Sequence, residues 1–212
     1  MIQINWVKIP YLAKKIFSKY VWDIPTTEKR IYLTFDDGPI PEITEWVLDE
    51  LQKYNAKATF FCIGDNISKH PNVFNKVIEQ GHSIGNHTFN HINGWKNKTA
   101  PYVENAMKAH QVIAEHAIQC SLFRPPYGKI KSKQANQLKA LGYKIIMWDI
   151  VSFDFNKRIT PEQCLQNIIK HTRSGSIVVF HDSVKAAANM QYALPKALEY
   201  WNKNGYKFVS LS

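Results

Sequence analysis

Short β-prone runs separated by single helical stretches dictate what this 212-residue chain can fold into. Ile31 to Phe35, Ala58 to Ile63, Ser83 to Asn86, Leu122 to Arg124, Lys144 to Trp148, Ile177 to Phe180 and Phe208 to Leu211 read as strands, rich in β-branched and aromatic residues and bounded by turn signals. Between them the spacing predicts helices. One runs from Pro41 to about Tyr54, with Ile43, Val47, Leu48 and Leu51 on one face. Others follow from Pro71 to Ile78 before Gly81, Pro101 to Ile118, Ser132 to Leu141 before Gly142, and Thr160 to His171, where Thr160 and Gln163 form a capping box around Pro161. The last spans Tyr192 to Trp201 before Gly205. Strands joined by single helices must pair in parallel through right-handed crossovers, so about seven such units predict an α/β fold, a distorted (β/α) barrel of the TIM-barrel kind. A doubly wound open sheet is the alternative.

No linker or low-complexity run divides the chain, and 45% apolar residues suffice for one core. Residues 29–212 are expected to form the barrel and residues 1–28 an extension packed on it. In that extension Trp6, Val7, Tyr11, Leu12, Ile16 and Phe17 interleave with Lys8, Lys14, Lys15 and Lys19. A helix covering the barrel's end is the first reading, and contact with a membrane surface or a partner the second. The net charge of +10 is spread as scattered lysines without a dense basic run or a nucleic-acid motif, so nucleic acid is not an expected partner. Cys62, Cys120 and Cys164 lack disulfide or metal spacing and read as buried thiols. No stretch approaches the ~20 apolar residues of a membrane span or has the layout of a signal peptide, so a cytoplasmic location is the default expectation. Nothing in the sequence bears on oligomeric state.

Several strand ends carry chemistry. The run Ile31 to Phe35 stops at Asp36 and Asp37 before Gly38 and Pro39, at the edge where α/β folds place ligands, and extended neighbours can turn one acid to a metal and the other to a substrate. His87 and His91, four apart, would share a face if the segment makes a helical turn, and with Asp37 they form a two-histidine, one-carboxylate set for a zinc-like ion with open positions. His82 reads as a packed histidine. In Arg124-Pro125-Pro126-Tyr127-Gly128 two prolines fix the backbone, so the Tyr127 amide can serve as an oxyanion donor and Arg124 can be aimed at a carboxylate. His181 closes the run Ile177 to Phe180 and is suited to proton transfer.

Thr34-Phe35-Asp36-Asp37-Gly38-Pro39, His87-Thr88-Phe89-Asn90-His91, Arg124-Pro125-Pro126-Tyr127-Gly128 and Val179-Phe180-His181, in this order, resemble the motifs of the polysaccharide deacetylase family, which shares a homology domain with rhizobial chitooligosaccharide deacetylase. The resemblance covers roughly residues 29–212. It implies a metal-dependent hydrolase that removes acetyl groups from N-acetylated or O-acetylated sugars of a glycan. Asp36 would then be the general base, His181 the general acid, Asp37, His87 and His91 the metal ligands, and the Tyr127 amide an oxyanion donor. The cofactor would be one divalent ion, zinc first, with cobalt, nickel or manganese as alternatives. One motif departs from the pattern: the family usually carries an Asp and then, two or three residues on, an Asp-Trp pair, where this chain has Val151 and Asp154-Phe155. Asp149, two residues before Val151, is the candidate substitute for orienting Arg124. A non-catalytic metal- or glycan-binding protein and a small-molecule amidohydrolase on the same scaffold are the competing readings.

Overall fold

Strand β1 (Arg30–Asp36) holds the centre of the molecule, because it has neighbours on both sides and its residues from Ile31 to Asp36 are all buried. Burial on both faces explains why its sequence is almost unbroken in apolar character. The computed structural model describes residues 6–212. In chain order the elements are α1 (Tyr11–Ile16), β1, α2 (Ile43–Gln52), β2 (Thr59–Cys62), α3 (Gly64–Lys69), α4 (Pro71–Glu79), β3 (Ser83–Asn86), α5 (Thr99–Ala114), β4 (Leu122–Phe123) and α6 (Ser132–Ala140). They continue with β5 (Lys144–Ile145), β6 (Ile150–Val151), α7 (Pro161–Ile169), β7 (Ile177–His181), α8 (Ala187–Lys203) and β8 (Lys207–Phe208).

Seven strands run β5-β4-β3-β2-β1-β7-β6 in a curled half-barrel, all pairs parallel, and β8 pairs with the start of β1. This is the (β/α) barrel class the alternating runs predict. The ring of Phe35 stacks on Phe60 and Phe180 of the flanking strands, with centroids 5.0 and 5.9 Å apart. Register then matters for chemistry: Asp36 lies level with His181 on β7 and Phe61 on β2. Residues from distant parts of the chain therefore arrive at one edge.

The sequence predicts one strand over 144–148, but the chain makes two short ones, β5 and β6, at opposite ends of the strand order. The N-terminal segment lies in the gap between them. Val21 forms a parallel bridge with Ile146, and Lys8 an antiparallel one with Ile150. Further bonds run from Val151 N to Val7 O and from Ile9 N to Asp149 O, both 2.9 Å. The extension thus supplies backbone partners to two edges that a fully closed barrel would pair with each other. Periodicity could not show this, because each strand is only two residues long.

Helix α1 is anchored by Lys14, which is buried and ion-paired to both Asp149 and Asp23, while Ser176 Oγ donates to the other oxygen of Asp149 at 2.7 Å. This overturns the role expected for Asp149. The residue lies just before β6 and bonds Ser176, just before β7, so it occupies the end of the strands opposite His181 and does not orient Arg124.

Smaller differences have local causes. Helix α3 is six residues long, too short for a periodic signal. Helix α8 begins at Ala187, five residues before the predicted start, and accommodates Pro195 inside it. The capping box of α7 is as read, with Thr160 Oγ1 accepting from Gln163 N and Gln163 Oε1 accepting from Thr160 N. All three cysteines are free and buried.

Because Lys14 loses its buried counter-charge when Asp149 is removed, Asp149→Ala is expected to cost about 3 to 5 kcal/mol of unfolding free energy in urea titrations. Adding Lys14→Met should recover much of that loss, since it removes a buried charge left with only the half-buried Asp23 as partner.

Candidate metal centre and active site

Asp36 and Asp37 leave β1 in different directions, as neighbours in an extended chain do. Asp36 points into the protein, where its Oδ1 accepts from Arg124 Nη1 at 2.6 Å. Burial disfavours its charge, but the guanidinium of Arg124, aided by His87 and His181, more than offsets this and holds Asp36 below the usual carboxylate range. Asp37 has a φ of 86°, a left-handed backbone that costs strain in any non-glycine residue. The turn is clamped from three sides. Asn66 Nδ2 donates to Asp37 O at 2.7 Å, Gly38 N donates to Asp182 Oδ1 at 3.0 Å, and Ile63 N donates to Gly38 O at 3.0 Å. A Cβ at Gly38 would sit 1.9 Å from Asp182 Oδ2, so only glycine fits against the clamp.

His87 and His91 approach Asp37 as the spacing predicts, though not on a helical turn. The segment after β3 is a loop in which Thr88 and His91 have φ of 65° and 53°. Polar side chains hold it in this shape: Asn86 Oδ1 accepts from Thr88 N, Asn105 Oδ1 from Phe89 N and Asn90 N, and Thr88 Oγ1 from Ile92 N. These local bonds compete successfully with helix formation. His87 Nε2 and His91 Nε2 lie 3.8 and 3.3 Å from Asp37 Oδ1. His87 Nδ1 is 2.8 Å from Arg124 O, which can only accept, so the proton is on Nδ1 and the Nε2 lone pair faces Asp37. Burial pulls the His87 pKa down to about 4 and lowers that of His91, so both rings are neutral and able to ligate.

These three residues fit a divalent cation. One ligand atom from each lies within 4.8 Å of the others, and Asp37 Oδ1 is buried with no hydrogen-bond donor among the described residues. An anionic oxygen in that state calls for a cation. Two imidazoles and one carboxylate form a borderline donor set of the kind zinc favours, with positions left over for substrate and water.

Arg124 is fully buried, with Nη1 also donating to Thr34 Oγ1 at 2.8 Å and Nη2 to Met147 O at 2.9 Å. Its guanidinium lies 4.0 Å above the centroid of the Phe61 ring. With Val151 in place of the family's acid, Thr34, Asp36 and a carbonyl hold the arginine, and its Nε has no partner. Arg124 therefore meets a carboxylate as expected, and that carboxylate is Asp36. Tyr127 follows the two prolines with a φ of 62°, its ring exposed and 4.6 Å from that of His91.

His181 is oriented by Asp154, a residue to which sequence reasoning gave no role. Asp154 Oδ1 lies 2.8 Å from His181 Nδ1, and its Oδ2 accepts from His181 N at 2.7 Å. Burial works against the imidazolium, but Asp154, with Asp37 and Asp36, outweighs it and raises the pKa to about 9. The rings of Phe155 and His181 meet edge to face, with centroids 4.8 Å apart. Asp154 stands at the aspartate of the family's Asp-Trp pair, which was the available signal. Asp182 was also missed. It follows His181 on the chain but faces the opposite way, accepting from Thr44 Oγ1 at 2.6 Å. His82 is the packed histidine expected, with Nδ1 accepting from Ala58 N. The exposed ring of Tyr127 and a cleft of about 640 Å³ beyond Phe155 lined by Lys157, Ile159, Val184, Lys185, Ala188 and Asn189 complete the surroundings.

Known proteins resemble the chain in sequence and in fold. The profile of the family described as polysaccharide deacetylase matches residues 23–146. The chain is 35% identical over 193 residues, 90% of each protein, to a peptidoglycan-N-acetylglucosamine deacetylase of Bacillus cereus. It is 34% identical over 163 residues, 75% of this chain and 76% of the other, to the chitooligosaccharide deacetylase of Azorhizobium caulinodans. The crystal structure of the Bc1960 peptidoglycan N-acetylglucosamine deacetylase superposes with a TM-score of 0.87 at 29% identity, covering 96% of this chain and 95% of that one. A profile match over more than half the chain, with relatives this similar over most of their lengths, places the chain in the polysaccharide deacetylase family.

Proposed function

We propose that this protein is a metal-dependent carbohydrate deacetylase that hydrolyses the acetamide of N-acetylglucosamine units in a glycan. The observation that carries the reading is the convergence of Asp37, His87 and His91 beside one ionised carboxylate, Asp36, and one protonated imidazole, His181. A binding protein has no need of a base and an acid held in opposite protonation states beside a metal site. The two relatives named for N-acetylglucosamine and chitooligosaccharide suggest the substrate class.

Asp37, His87 and His91 would hold a divalent ion, which would supply Lewis acidity at the acetyl carbonyl and lower the pKa of water. The chain's own groups do the rest. Asp36, kept ionised by Arg124, accepts the proton of the attacking water. Charge developing on the carbonyl oxygen meets the backbone N–H of Tyr127, fixed by Pro125 and Pro126. His181, kept protonated by Asp154, gives its proton to the departing amine, and Asp154 stabilises the imidazolium until that moment.

The direct test measures acetate release from chitooligosaccharides and peptidoglycan fragments. Release should stop with a chelator and return with zinc, whereas no acetate from any acetylated glycan under either condition would refute the proposal. Asp36→Asn and His181→Ala should each lower kcat by about 10²- to 10⁴-fold; far-UV circular dichroism should be unchanged for His181→Ala, whereas Asp36→Asn also leaves buried Arg124 without its counter-charge and should lower the urea midpoint. The pH dependence carries a sign. Because the folded-state pKa of His181 is raised above 6.5, the acid form persists from that value up to about 9, and both activity and this residue's contribution to stability fall as pH rises through 9. Asp154→Asn should move the alkaline limb of the kcat profile to lower pH, and an unmoved limb would show that Asp154 does not set it.

A further inference from the structure

Helix α1 is inside out. Its buried side chain is Lys14, drawn inward by Asp149 and Asp23, while Tyr11, Leu12 and Ile16 face solvent. Trp6 and Phe17 join them, and these five side chains are 45–70% exposed. They are five of the eleven large apolar side chains exposed among the described residues, gathered within twelve positions, so they form a patch and not the scattered exposure usual on a soluble surface. The patch is held firmly. Besides the Lys14 ion pairs, Trp22 Nε1 donates to Phe17 O at 3.0 Å, and the ring of Phe17 stacks on buried Tyr20.

We propose that this face docks onto an anionic phospholipid surface, with α1 lying in the plane of the interface. The cations among the apolar groups select this occupant. Lys15 lies over the ring of Tyr11 and Lys19 over that of Tyr20, while Lys139 donates to Lys19 O at the border of the patch. Aliphatic and aromatic side chains entering the headgroup boundary, with lysines level with lipid phosphates, satisfy both parts of this surface at once. A second copy of the chain would instead oppose the same lysines on two molecules that each carry +10. The docked orientation also leaves the catalytic groups free. Asp149, which anchors α1, lies at the start of β6, whereas Asp36 and His181 close the far ends of β1 and β7.

The experiment is flotation of the whole protein with vesicles of phosphatidylcholine alone and of phosphatidylcholine with about 30% phosphatidylglycerol. The protein should float with the anionic vesicles, less so in high salt, and hardly at all with neutral ones. Leu12→Glu with Ile16→Glu should reduce partition by about ten-fold or more, and Lys15→Glu with Lys19→Glu should remove the preference for phosphatidylglycerol. Circular dichroism and light scattering accompany each variant, so folding and oligomeric state are read independently of enzymatic activity. Absence of flotation, equal flotation of the Leu12→Glu, Ile16→Glu protein, or a dimer that this pair of substitutions splits into monomers would each overturn the proposal.

Discussion

The buried ion pair of Arg124 and Asp36 is the contact on which the rest of the site depends. Neither charge could remain in the interior alone, since an isolated buried ion costs several kcal/mol even after relaxation. Held together, and braced by Thr34, Met147 O and the face of Phe61, they fix an ionised carboxylate beside the candidate metal ligands Asp37, His87 and His91. The same arginine orders its neighbour, because its backbone carbonyl receives the Nδ1 proton of His87 and so turns the other nitrogen of that ring towards Asp37. One residue thereby sets the charge state of Asp36 and the tautomer of His87.

Around that pair the backbone is held in unfavourable shapes. Asp37, Thr88, His91, Tyr127 and Phe153 all have positive φ, and each lies in or beside the site. Strain of about 1 to 3 kcal/mol per residue persists only where surrounding contacts over-determine the conformation. Here those contacts can be named: Asp182 and Asn66 clamp the Asp37 turn, and Asn86 and Asn105 hold the histidine loop. Burial raises the pKa of Asp182 to about 8, against the hydrogen bonds from Thr44 and Gly38, which favour its charged form. Environment divides these acids: Asp36 is held ionised by Arg124, Asp37 faces the two imidazoles, and Asp182 braces the turn.

Much of this was legible in the sequence because the signals were local. Alternating strands and helices gave the barrel, and strand ends gave Asp36, Asp37 and His181. What escaped was set by partners distant in the chain. That Asp149 serves Lys14 and Ser176 at the far end of the barrel, and not Arg124, depends on how the N-terminal segment threads between β5 and β6. The two short strands carry too few residues to show a period, so no reading of 144–151 alone could divide them. The inward lysine of α1 was hidden for a related reason: in sequence it looks like any solvated lysine, and only the acids brought beneath it turn the helix over. The histidine pair was found through a spacing that suggested a helical turn, yet side-chain bonds to the backbone build the loop that brings the rings together.

The claim most exposed to test is that Asp37, His87 and His91 share one ion. X-ray absorption at the zinc edge of the zinc-loaded protein measures that environment directly. Two imidazole nitrogens at about 2.0 to 2.1 Å together with oxygen ligands are the expected result. A zinc environment without imidazole scattering, or one unchanged when both histidines are replaced by alanine, would contradict it.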